Sequence, residues 1–145
     1  MGKRINISEV DPKAYEAMIG LEKYLVQSGL DKTLYELSKT RASQINGCAY
    51  CINVHTRDVL ALGETNQRLF LLDTWRETDL YTEKERAVLA LTEAMTLLTN
   101  GQVPDDIYKN ASKHLSQKEL ASVIMAIVAI NGWNRKTITT KMPLD

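Results

Sequence analysis

Apolar residues along this chain recur at three- and four-residue intervals, and the gaps between the runs carry helix-stop residues. Tyr15, Met18, Ile19, Leu21, Glu22, Leu25 and Val26 share one broad, mostly apolar face. Asp11-Pro12 starts that helix, with Asp as N-cap and Pro at the first position, and Ser28-Gly29 ends it. The short polar strip before it is expected to lie on a partner or to fray. Asp31 caps a second helix through Leu34, Leu37, Ala42 and Ile45 to Asn46-Gly47, with Glu36, Lys39, Arg41 and Gln44 as its polar members. A third helix, residues 48–62, follows at once and stops at Gly63. So short a join makes these two close neighbours, as in an αα-hairpin. Thr65-Asn66 opens a fourth helix carrying Leu69, Phe70, Leu72 and Trp75, and a charged run from Arg76 to Asp79 separates it from the next. The capping box Thr82-Glu83-Lys84-Glu85 starts a long helix through Val88, Leu91, Met95 and Leu98, with Asn100-Gly101 as its stop. Residues 104–114 read as a short amphipathic helix. A second capping box, Ser116-Gln117-Lys118-Glu119, opens the most apolar helix. Its end is predicted around Asn131-Gly132-Trp133-Asn134-Arg135, before a β-branched tail of Thr137, Ile138, Thr139 and Thr140. No stretch alternates at period two. The expectation is an all-α fold, a bundle of about six to seven helices forming one domain over residues 1–145.

Composition narrows the function classes. A chain of 145 residues buries about two-thirds of its unfolded surface and needs no staple to fold. Lys plus Arg and Asp plus Glu balance at 18 each, which gives no net attraction to nucleic acid or an anionic membrane. Met1-Gly2-Lys3-Arg4 lacks the apolar core of a secretory signal, and Asn6 stands where a myristoylation motif wants Ser or Thr. Residues 120–130 are too short a run to span a bilayer and read as a buried helix. That run is also more apolar than a monomer of this size easily hides, which favours a homo-oligomer. The expected compartment is the reducing cytoplasm. There a CxxC pair is catalytic or metal-binding more often than structural.

Both cysteines and one of two histidines fall in Asn46-Gly47-Cys48-Ala49-Tyr50-Cys51-Ile52-Asn53-Val54-His55. At 100° per residue Cys48 and His55 point within about 20° of each other, and Cys51 lies about 40–60° to one side. All three share a face, and the two sulfurs are within disulfide reach. Unpaired N–H groups and partial positive charge at the helix start lower a thiol's pKa, so helix electrostatics alone favour Cys48 as the nucleophile. His55 adds a base one turn from Cys51. Glu36 lies eleven residues before Gly47 and His55 eight after. On antiparallel helices that puts them within about 5 Å along the axis, so Glu36 is placed to hold the His55 proton.

The pattern Glu36, Cys48, Cys51, His55 resembles the Glu-x11-CxxC-x3-His signature of the alkylhydroperoxidase D-like branch of the carboxymuconolactone decarboxylase superfamily. The flanking Arg41-Ala42-Ser43-Gln44-Ile45-Asn46-Gly47, Trp75-Arg76-Glu77-Thr78, Thr82-Glu83-Lys84-Glu85-Arg86-Ala87 and Asn131-Gly132-Trp133-Asn134-Arg135 are similar to that branch, over residues 34–138. The resemblance implies an all-helical fold, a trimer or hexamer, and thiol peroxidase chemistry without metal or flavin. It implies that Cys51 attacks a hydroperoxide, Cys48 closes the disulfide, and His55 with Glu36 relays the proton. An external dithiol, such as a lipoyl-bearing protein, would reset the pair. The family's assignment of Cys51 overrides the helix argument for Cys48, because His55 lies one turn from Cys51. Better-studied members carry a second His directly before the second cysteine; Tyr50 stands there in this chain.

Two other readings compete. Cys48, Cys51 and His55 supply three zinc ligands, with Glu36 or water as a fourth, in a metal-holding or redox-responsive binding protein. Lactone decarboxylation is the superfamily's other chemistry, and it does not rely on a dithiol. Arg41, Tyr50 and Trp133 are further candidates for the pocket wall, whereas His114 reads as an exposed histidine near a helix end.

Overall fold

A computed structural model describes residues 4–144. Met1-Gly2-Lys3, on which the expectation of no secretory signal partly rests, lies outside them. Among the described residues every regular element is helical. In chain order these are α1 (Ile7–Val10), α2 (Pro12–Gln27), α3 (Lys32–Asn46), α4 (Ala49–Ala61), α5 (Asn66–Phe70), a 3-10 segment (Leu72–Glu77), α6 (Glu83–Thr96), α7 (Asp105–His114) and α8 (Gln117–Thr140). Among the described residues no helix is long and apolar enough to cross a membrane.

The caps fall where the sequence places them. Asp11, Asp31 and Thr65 accept backbone N–H groups at the starts of α2, α3 and α5, and Thr82 and Ser116 form full capping boxes.

Helix α3 is the axis of the bundle, packed on α4, α6 and α8. Leu34 joins an apolar cluster with Val88, Leu91, Val123 and Ile127, and Leu37 joins another with Val59, Leu72, Trp75 and Leu89. Yet α3 also buries Glu36, Ser38, Lys39, Thr40 and Ser43. The three hydroxyls donate to α3's own carbonyls, Ser38 to Tyr35 at 2.8 Å, Thr40 to Glu36 at 2.7 Å and Ser43 to Lys39 at 2.7 Å. Their polarity is thereby satisfied inside the bundle.

Three expectations are corrected. The opening strip forms the one-turn helix α1, capped by Asn6, and Arg4 donates to the Thr139 carbonyl at 2.7 Å. It lies on the chain's own α8 end. The fourth helix breaks after Phe70 into the 3-10 segment, whose three residues per turn bring Leu69, Leu72 and Trp75 inward together. Phe70 is left 78% exposed.

The last helix does not end near residue 131; it runs unbroken to Thr140. Asn131 and Asn134 look like stop residues but are partnered inside the bundle. Asn46 donates to both, at 3.0 and 2.9 Å, Asn134 donates to Ser43 at 3.0 Å, and Asn131 to Thr96 at 3.1 Å. Gly132 lets α2 approach: a Cβ there would meet the Met18 methyl at 3.1 Å.

Candidate active site

The turn from α3 to α4 sets the site. Gly47 takes the left-handed conformation, φ 70°, that a non-glycine residue adopts only with strain. The Gly47 N–H donates to the Gln44 carbonyl and the Cys48 N–H to that of Ser43, the two bonds of a Schellman ending. Asn131 and Asn134 hold the side chain of Asn46 beside this turn. Helix α4 therefore begins at once, with Cys48 as its N-cap and the Cys48 sulfur accepting the Cys51 N–H at 3.3 Å. Cys48 and Cys51 are joined in a disulfide, Cα to Cα 5.3 Å. This is the oxidised state of the dithiol.

Glu36 and His55 meet across the hairpin. Glu36 Oε2 lies 2.8 Å from His55 Nδ1, with both side chains largely buried. A carboxylate only accepts, so Nδ1 carries the hydrogen and Nε2 of neutral His55 holds the lone pair. Asp58, one turn beyond His55, completes a group with Glu36 and His55 whose ligand atoms lie within 4.8 Å of one another. Among the described residues those three are a set that could hold a divalent ion. Two hard oxygens and one imidazole suit such an ion, but Lys39 stands close enough to interact with both carboxylates. The zinc set expected from sequence differs, because both its sulfurs are committed to the disulfide.

A second charged group was not read from the sequence. Lys39 is 2% exposed. Its Nζ donates to both oxygens of Glu22, each at 2.8 Å, and to the Tyr35 hydroxyl. Tyr35 donates to Glu22 Oε2, and Trp133 Nε1 donates to Glu22 Oε1 at 2.8 Å. Burial alone would raise the Glu22 carboxyl; the Lys39 charge and the donors from Lys39, Tyr35 and Trp133 outweigh it and hold it below the usual range. Burial lowers the Lys39 ammonium, and Glu22 offsets this only in part. Burial and the neighbouring Glu22 push the Tyr35 hydroxyl far up, so it stays protonated. One signal for this group was available: Lys39 lies three residues after Glu36, the expected proton partner, and four after Tyr35, so it neighbours both on the helix surface.

Both groups open on one cavity of about 320 Å³, whose walls include Cys51, His55, Tyr50, Lys39, Glu22 and Trp133. Cys48 is not among its lining residues, so the two cysteines differ in their relation to it. Tyr50 and Trp133 are among those lining residues. Arg41 is not; it donates to Glu93 at 2.9 Å and to Gln44 at 3.2 Å, tying α3 to α6. His114 is the last residue of α7, half-buried instead of exposed, and does not line this cavity.

Known proteins share this architecture. A Bacillus subtilis protein named uncharacterized protein YdfG is 40% identical over 138 residues, 95% of this chain and 94% of its own length. A crystal structure from Agrobacterium tumefaciens, of unknown function and proposed as an antioxidant defence protein AhpD, superposes with a TM-score of 0.95 at 37% identity, over 99% of both chains. The alkyl hydroperoxide reductase AhpD of Corynebacterium aurimucosum is 35% identical over 46 residues, 32% of this chain and 26% of its own length. Residues 12–94 match the carboxymuconolactone decarboxylase family, and that stretch contains the α3–α4 hairpin with Glu36, Cys48, Cys51 and His55. The chain therefore belongs to the carboxymuconolactone decarboxylase family and has an alkylhydroperoxidase D-like fold.

Proposed function

We propose that the protein is a thiol-dependent peroxidase in which Cys51 is the attacking thiol. The observation that carries this reading is the unequal placement of the two cysteines: Cys51 lines the cavity beside His55, and Cys48 does not. In the reduced protein His55 Nε2 takes the Cys51 proton while Glu36 holds Nδ1. The thiolate attacks the terminal oxygen of a hydroperoxide. A sulfur–oxygen bond forms, the oxygen–oxygen bond breaks, and the leaving oxygen takes a proton and departs as an alcohol. The Cys48 thiol then attacks the sulfenic sulfur, closing the disulfide and releasing water. An external dithiol returns two electrons. It would enter through the same cavity and attack Cys51, expelling Cys48 as a thiolate that the first N–H groups of α4 stabilise. A lipoyl-bearing protein has the required chemistry.

The protein is further proposed to work in the cytoplasm as a homo-oligomer, a trimer or hexamer. Leu98 and Val128, 53% and 47% exposed beside the α6–α8 groove, support self-association. The reading is tested by hydroperoxide consumption with a dithiol reductant, where sustained turnover is expected. Thiols that stay reduced under excess hydroperoxide, in protein that holds stoichiometric zinc, would replace it with the metal-binding reading.

A further inference from the structure

The Glu36–His55 pair accounts for the proton that leaves Cys51, but not for the one that the departing oxygen needs. An alkoxide is a poor leaving group at neutral pH, so a donor at that oxygen is worth about 10²–10⁴-fold in rate. We propose that Lys39, held by Glu22 and Tyr35 in the wall of the Cys51 cavity, donates the proton to the leaving oxygen of the hydroperoxide. This rests on the peroxidase reading above.

Three observations carry it. First, a buried ion pair contributes little to stability compared with apolar side chains of the same size, so this position has no packing reason to be lysine. Second, Lys39 faces the same cavity as Cys51 and His55, from a different helix than either. Third, the partners of Lys39 are redundant. Glu22 Oε1 also accepts from Trp133, and Oε2 also accepts from Tyr35. Either Lys39 contact with Glu22 can therefore be released toward a substrate without leaving a carboxylate oxygen unpartnered. The groups around the ammonium are Glu22 from α2, Tyr35 and Glu36 from α3, Asp58 from α4 and Trp133 from α8, and Lys136 of α8 also lines the cavity. Burial in this setting lowers the affinity of Lys39 for its proton, the direction a donor near neutral pH requires.

The step balances. The Cys51 thiolate takes the terminal hydroxyl oxygen and becomes a sulfenic acid. The electron pair of the oxygen–oxygen bond goes to the alkoxy oxygen, a proton moves to it from Lys39 Nζ, and neutral Lys39 recovers, through solvent, the proton that His55 Nε2 took from Cys51.

The test is leaving-group dependence. Oxidation of the reduced protein is timed by stopped flow with an alkyl hydroperoxide and with a peroxycarboxylic acid, whose carboxylate leaves without a proton at neutral pH. Lys39→Met is expected to lose about 100-fold toward the alkyl hydroperoxide and less than about 3-fold toward the peroxyacid. Equal losses toward both would overturn the proposal and make Lys39 a structural residue. If Lys39→Met does not fold, the Glu22→Gln/Lys39→Met pair removes both charges and carries the same comparison. Failure of wild-type thiols to react with either oxidant would instead overturn the peroxidase reading itself.

Discussion

Arg68, half-buried, and Lys39, fully buried, are both held by carboxylates, yet they stand in different company. Arg68 bonds Glu64 at 2.7 Å and Glu85 at 2.8 Å, donates to the Leu80 carbonyl and lies over the Tyr81 ring, 4.7 Å from its centroid. Each of its nitrogens is engaged in that fork, and it joins α5 to α6 away from the Cys51 cavity. Burial alone would lower the guanidinium's hold on its proton, but Glu85 and Glu64 more than reverse that. Lys39 has a carboxylate whose oxygens each keep a second partner, and it opens on the cavity beside the dithiol. Buried charge by itself marks nothing about function. A buried charge with redundant partners, facing a cavity and a thiol, marks a group able to change partners.

The widest separation between the two regions is expected at the thiol itself. Cys51→Ser should lower hydroperoxide turnover by at least about 10³-fold, checked by peroxide consumption, since the nucleophile is gone. Arg68→Met should do the reverse. It is expected to cost about 1–3 kcal/mol in urea unfolding, the range for leaving shielded acceptors without their donor, while single-turnover oxidation changes less than about twofold. A large rate loss there would break the comparison. Glu36→Gln keeps the shape and removes the charge behind His55 Nδ1; the expected loss is about 10–100-fold in the oxidation rate, read by stopped flow.

Acid stability sharpens the contrast further. The Glu22 and Glu93 carboxyls are held below their usual 4.5: burial alone would raise both, but Lys39 outweighs it at Glu22 and hydrogen bonds from Arg76, Trp75 and Arg41 outweigh it at Glu93. A depressed carboxyl contributes stability that is present above the unfolded value and is lost as pH falls through the folded one. Melting temperature should therefore fall below about pH 4.5, and less steeply in Glu22→Gln. The smallest effect belongs to Gly132→Ala. Helix propensity favours Ala by about 1 kcal/mol, while the Met18 methyl at 3.1 Å must shift; a net change under about 1 kcal/mol in urea unfolding is expected.

The α3–α4 hairpin was legible because its parts are local. Gly47 fixes the turn, helical rise fixes the levels, and the approach of Glu36 to His55 follows from counting residues. The continuation of α8 was not legible, because Asn131, Gly132 and Asn134 stop helices unless something distant satisfies them. Here Asn46, Ser43 and Thr96 do so, and Met18 takes the space above the glycine. Lys39 and Glu22 were missed for a related reason. Period alone assigns Lys39 to the outside of α3 and counts Glu22 within the apolar face of α2, and only the packing of both α3 and α2 on α8 brings the two together. Val26, on the same expected apolar face as Glu22, is 77% exposed.

The account turns on which sulfur meets the hydroperoxide. Reduced Cys48→Ser protein, given one equivalent of an alkyl hydroperoxide with dimedone and then digested, reads this directly by peptide mass. The account predicts a dimedone adduct on Cys51 in that variant and none on Cys48 in the matching Cys51→Ser protein. An adduct on Cys48, with Cys51 unmodified, would contradict it.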